Sequence, residues 1–123
     1  MAELIDSIGS QQLKDIITEF YIRAFADPII GHIFWTFDRE RLTQMQISFA
    51  KSMLGGSEGY RGKSLDEAHQ NLNINNAHFG RRQVLMRQVL EDFNVVDSVK
   101  DEWLKREERL RPLIVRSSRT CLS

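Results

Sequence analysis

Apolar side chains fall at Leu13, Ile16, Ile17, Phe20, Tyr21 and Ala24, spaced i, i+3, i+4, i+7, i+8 and i+11. One face of an α-helix presents such a stripe, and Lys14, Asp15, Glu19 and Arg23 occupy the opposite face. Ser10 stands where an N-cap belongs. Asp27-Pro28 stops the helix, because proline disfavours α geometry in the residue before it. Residues 29–37 are apolar but irregular, which predicts a short helical turn and a buried corner. Asp38 then caps a second helix with Leu42, Met45, Phe49 and Met53 along its inward face. It ends at Leu54-Gly55-Gly56, where glycine takes the left-handed conformation that closes a helix.

Beyond the glycine-rich turn, Ser64-Leu65-Asp66-Glu67 reads as a capping box, opening a short helix that carries His69 and ends near Leu72. Asn75 caps a longer helix holding Phe79, Met86, Val89, Leu90 and Phe93. A last helix begins near Asp97 or Ser98, with Val99, Trp103 and Leu110 facing inward, and residues 112–123 read as a frayed tail. No segment alternates with period two for long enough to make a strand, so the class is all-α. Four main helices pack either as a bundle or as a layered sandwich, and the pattern does not choose between them.

A chain of 123 residues has room for one domain, residues 1–123. Lys plus Arg and Asp plus Glu are 17 each, so the chain lacks the basic excess of a non-specific nucleic-acid binder. No apolar run approaches the ~18 residues of a membrane span, and Met1-Ala2-Glu3-Leu4 lacks the pattern of a secretory signal. The single Cys121 excludes an intramolecular disulfide and a cysteine-rich zinc site, which makes a cytoplasmic setting the default.

Three polar residues interrupt apolar faces. Gln46 follows Leu42 by four positions, and a buried amide costs about 1–3 kcal/mol unless it finds partners. Tyr21 sits on the inward stripe with a phenol that needs a partner of its own. Either the two hydrogen-bond each other, or Gln46 merely borders the core, or both point into a cavity that holds a polar ligand. His69 has Leu65 and Leu72 at i−4 and i+3, so it is either an ordinary half-buried histidine or a metal ligand. His32 and His78 are not spaced to complete a multi-histidine site with it. A lone histidine on iron needs its other ligands from a cofactor, and haem supplies four. Gly55-Gly56 follows no strand and is no nucleotide fingerprint. Residues 100–111 are charge-dense, as either a solvated helix face or a surface for an acidic partner.

These features fall in a recognisable order. Glu19-Phe20-Tyr21, Ala26-Asp27-Pro28 and Phe34 are followed by Leu54-Gly55-Gly56, Tyr60 and Gly62, then Ala68-His69-Gln70 and Ile74 through His78-Phe79. Over residues 4 to 95 the chain resembles the truncated (two-over-two) haemoglobins, most of all their first group. The resemblance implies a globin-like sandwich around haem b (iron protoporphyrin IX), with His69 as the proximal iron ligand. It makes Tyr21 the distal phenol donating to bound dioxygen, Gln46 the amide that assists it, and Leu42 the apolar residue at the usual distal-histidine position. Phe34 packs on the macrocycle, and Met45, Phe49, Tyr60, Leu65, Ile74 and Phe79 line it. The implied ligands are O2, NO and CO at a five-coordinate iron, in a monomer or weak dimer.

Departures from the family pattern accompany the resemblance. Arg81 and Arg82 stand where it has apolar pocket residues, implying a shifted helix or an arginine that reaches a haem propionate or solvent. Ala50 replaces a bulky tunnel-gating residue. Met45 stands where some members carry a cation for a propionate, leaving Arg41, Lys51 and Lys63 as substitutes. Two rival functions stay open. One is nitric oxide dioxygenation, which needs an external reductase because the chain has no flavin or nicotinamide motif. The other is a haem-free helical interaction or sensor module.

Overall fold

The stripe from Leu13 to Ala24 becomes the spine of the molecule. In a computed structural model that describes residues 4–55 and 74–115, it lies on α2 (Ser10–Ala26), preceded by a short α1 (Leu4–Ile8). A 3₁₀ turn (Gly31–Phe34) leads to α3 (Arg39–Met53), and α4 (Asn76–Asp92), α5 (Asp97–Glu108) and α6 (Arg111–Ile114) follow. All six stripe residues of α2 are buried. Helix α2 packs against both α3 and α4, and α4 in turn against α5, so one helical pair lies over another. This is the two-over-two arrangement, and no strand occurs among the described residues.

The core sits where the layers meet. Leu13, Ile16, Phe20, Ala24, Met86, Val89, Leu90 and Trp103 are fully enclosed, and each large apolar side chain contributes about 1.5–3 kcal/mol by leaving water. Local signals set several helix ends. Asp38 accepts from the Arg41 N–H, and Asn75 forms a reciprocal capping box with His78. Gly55 at φ 93° closes α3. At the end of α4, Asn94 takes φ 58° while the Asn94 and Val95 N–H groups return to the Glu91 and Leu90 carbonyls, a Schellman closure made without glycine.

Four expectations need correction. Gly9, at φ 85°, holds the N-cap position, and Ser10 is already helical, because the bend that turns the chain out of α1 requires a left-handed residue. The face of α3 that packs into the core is Thr43, Ile47 and Ala50; Leu42, Phe49 and Met53 are half-buried and Met45 is exposed. Those four line cavities, and Leu42 and Met53 also pack against the edge of the core. The corner after Pro28 buries Ile30 and Gly31, yet it leaves Trp35 75% and Phe37 39% exposed. Finally, residues 100–111 are not uniformly solvated, since Lys100 and Glu107 are buried. Each is neutralised by a salt bridge from α4, Lys100 to Glu91 and Glu107 to Arg82. The expected short helix around His69 lies outside the described residues, as do residues 116–123; residues 111–114 form α6, and Val115 behind it is buried.

Candidate functional site

A cavity of about 570 Å³ opens between α2, the 3₁₀ turn, α3 and the start of α4. Its walls are mainly apolar: Ile30, Ile33, Phe34 and Phe37 from the turn region, Leu42 and Met45 from α3, Ile74, Phe79 and Ile114 from the far side. The volume lies within the ~300–1,000 Å³ range of small-molecule and cofactor sites. Helical spacing explains the α3 wall, because Leu42, Met45 and Gln46 stand at i, i+3 and i+4 on one face.

The polar groups facing this space are few. Tyr21 and Gln46 both line it, together with Arg82, His78 and, toward the rim, Thr36, Asp38 and Arg41. Tyr21 and Gln46 make no hydrogen bond to each other, and Gln46 has no partner among the described residues. The Gln46 amide is therefore turned to the cavity, and the Tyr21 phenol is shared between the cavity and the Arg82 guanidinium. The Tyr21 ring is held edge-on by Phe20 (4.9 Å between centroids) and Phe34 (5.9 Å), and Phe34 stacks on Phe25 at 5.2 Å. Burial pushes the Tyr21 phenol up to about 12, with the Arg82 cation opposing and Glu107 reinforcing that shift. The hydroxyl is thus neutral at physiological pH and able to donate.

A second cavity, of about 50 Å³, lies behind the first. Phe49, Ala50 and Met53 line it with Glu107, and Tyr21, Gln46, Phe79 and Arg82 are shared between the two. So Phe34, Leu42, Met45, Gln46, Tyr21, Ile74 and Phe79 are brought together around the main space, and Phe49 faces the smaller one. His69, Tyr60 and Leu65 lie outside the described residues, and so does Lys63. Of the cations weighed for a carboxylate on the ligand, Arg41 stands at the main cavity and Lys51 does not.

Four residues contribute in ways the pattern does not show. Arg81 does not line the cavity; part-exposed, it grips Asp27 through Nε (3.1 Å) and Nη2 (2.7 Å). That arginine, ahead of the Ile29 and Ile30 N–H groups, holds the Asp27 carboxyl below its usual range against the effect of burial. The grip ties α4 to the corner that carries Phe34. Arg82 turns inward instead, forming a two-pronged pair with Glu107 (Nη1–Oε1 2.7 Å, Nη2–Oε2 3.1 Å). Trp103 Nε1 donates to the same Glu107 at 2.9 Å. The arginines were visible as oddities in the sequence, whereas nothing local marks Glu107. His78 was set aside as a ligand, yet it lines the cavity, and its Nδ1 accepts from the Asn75 N–H, which leaves any ring proton of the neutral form on Nε2.

Comparison with known proteins adds an independent line. The family model described as "Bacterial-like globin" matches residues 3–115. A group 1 truncated hemoglobin from Tetrahymena pyriformis is 32% identical over 103 residues, covering 84% of this chain and 85% of that protein. The crystal structure of truncated hemoglobin from that organism in its Fe(III) form superposes with a TM-score of 0.88 at 29% identity, over 93% of this chain and 98% of the other. A truncated oxygen-avid haemoglobin from Bacillus subtilis, at 20% identity and a TM-score of 0.83 over 94% of this chain and 100% of that one, shares the fold.

Proposed function

The chain belongs to the bacterial-like globin family, in its truncated two-over-two form, a family of haem-binding proteins; on that footing we propose that it binds haem b in the main cavity and takes up dioxygen reversibly there, with NO and CO as alternative ligands. One observation carries this reading: Tyr21 and Gln46 face a single apolar cavity without satisfying each other. Were they plain core residues, as in a haem-free interaction module, burial would have paired them.

The residues present fit the group. A flat, mostly apolar macrocycle suits walls made of Phe34, Leu42, Met45, Ile74 and Phe79, and Arg41 at the cavity is a suitable partner for a propionate. His69, by its place in the family motif, is the proximal ligand. Bound haem supplies the iron on which a diatomic gas coordinates. The chain supplies the surroundings. Leu42 and Phe34 exclude water, the phenol of Tyr21 offers a neutral O–H donor, and the Gln46 amide offers an N–H donor. Both act in a low-dielectric space that strengthens a hydrogen bond to a polarised ligand.

The test is spectroscopic. Purified protein offered haemin should develop a Soret band that shifts on reduction and again on adding CO, and His69→Gly should lose haem or retain it only with added imidazole. A folded sample that stays colourless ends the reading.

A further inference from the structure

The Arg82–Glu107 pair lies against the same cavity, and its geometry bears on what Tyr21 can do. A guanidinium carries five N–H donors and no acceptor. Arg82 spends three of them: Nη1 donates to Glu107 and to Gln83 Oε1 (2.9 Å), and Nη2 donates to Glu107. Nε and one Nη2 proton are left. The guanidinium also sits over the Phe20 ring, 4.8 Å from its centroid, and Phe20 is itself edge-on to Tyr21. Tyr21 and Arg82 border both cavities, so the cation and the phenol share one small space. Glu107 is held a third time, since Trp103 Nε1 donates to the Oε2 that also takes Arg82 Nη2.

We propose that Arg82 is a positioning residue for Tyr21: fixed by Glu107 and seated on Phe20, its guanidinium occupies the acceptor side of the phenol oxygen and so leaves the Tyr21 O–H to donate into the main cavity. A phenol that could accept from water or turn toward Glu107 would lose that bias. Glu107 borders the smaller cavity together with Tyr21, and Arg82 caps both of its oxygens. The assignment rests on the reading that the cavity holds haem and that Tyr21 faces the ligand.

The experiment is a double-mutant cycle on the haem-loaded, full-length chain. Arg82→Met alone leaves a buried carboxylate, so it is combined with Glu107→Gln, whose amide oxygen still accepts from Trp103. Arg82→Lys is the second variant, keeping the charge and withdrawing the fork. With Tyr21 intact, both should speed dioxygen dissociation about 2- to 10-fold, the worth of one ordinary hydrogen bond. In the Tyr21→Phe background the same changes should leave the rate unaltered. An independent readout is the ¹³Cζ resonance of Tyr21 in the CO form, assigned by its loss in Tyr21→Phe, which should move in both variants. Equal acceleration with and without the phenol, no acceleration at all, or an unmoved resonance overturns the proposal. In those cases a normal Soret band and a faster Tyr21→Phe leave the haem reading standing. Absence of the Soret band in the unmodified chain overturns both.

Discussion

Tyr21→Phe removes one oxygen atom from a ring packed against Phe20 and Phe34, and with it the group that the Arg82 guanidinium faces. The edge-on packing against Phe20 and Phe34 is indifferent to the hydroxyl, and no acceptor among the described residues loses a donor when it goes. The Arg82 guanidinium loses the oxygen it faces but keeps its two-pronged pair with Glu107, so folding stability should fall by no more than about 1 kcal/mol. The ligand should feel far more. A hydrogen bond to a group carrying charge is worth about 1.5–3 kcal/mol, which corresponds to roughly a 10- to 150-fold faster dissociation if the loss falls wholly on that rate. Stopped-flow displacement of dioxygen by CO measures the rate, and urea unfolding of the same samples measures stability. The two numbers separate the two readings of Tyr21. An unchanged rate would show that the phenol does not address the ligand. A stability loss well above 1 kcal/mol would show that it serves the core instead.

Three further outcomes are expected. Gln46→Leu should leave stability unchanged or slightly raised, since the amide has no partner among the described residues, while dioxygen dissociation quickens about 2- to 10-fold. Asp27→Asn should cost about 2–3 kcal/mol at neutral pH by weakening the links to Arg81, Ile29 and Ile30. Because the folded carboxyl is held below its usual value, its contribution is complete above about pH 3.9 and is lost as pH falls through the lower folded value. Urea unfolding between pH 2 and 7 should therefore show an acid limb that is shallower in Asp27→Asn, and an identical limb would contradict the assignment. Gly31→Ala places a Cβ 2.8 Å from the backbone oxygen of Phe25, which cannot yield as a side chain would, so a loss of about 1–3 kcal/mol is expected in thermal melts.

Most of the architecture was legible because it rests on local rules. The stripe of α2 matches its buried residues one for one, and Asp38, Gly55 and Asn75 end or begin helices as their chemistry dictates. The stripe on α3 misled because an apolar side chain facing a cavity and one facing a helix look alike in sequence. Leu42 and Met45 belong to the first kind, Ile47 to the second. Tyr21 and Gln46 stood out as polar residues on apolar faces, but whether they bonded each other depended on the distance between two helices. Glu107 was illegible for a related reason. Its partner Arg82 is 25 positions away, and only the packing of α4 on α5 tells this glutamate apart from its solvated neighbour Glu108.

The two tryptophans stand in opposite environments. Trp103 is wholly enclosed with its indole proton on Glu107, and Trp35 lies out in solvent. The chain thereby carries two built-in fluorophores of contrasting colour, one emitting toward the blue and one toward the red. In the haem-free chain a soluble quencher silences the outer and leaves the inner, and haem entering the pocket would dim the inner by energy transfer, so loading can be followed optically without attaching a label.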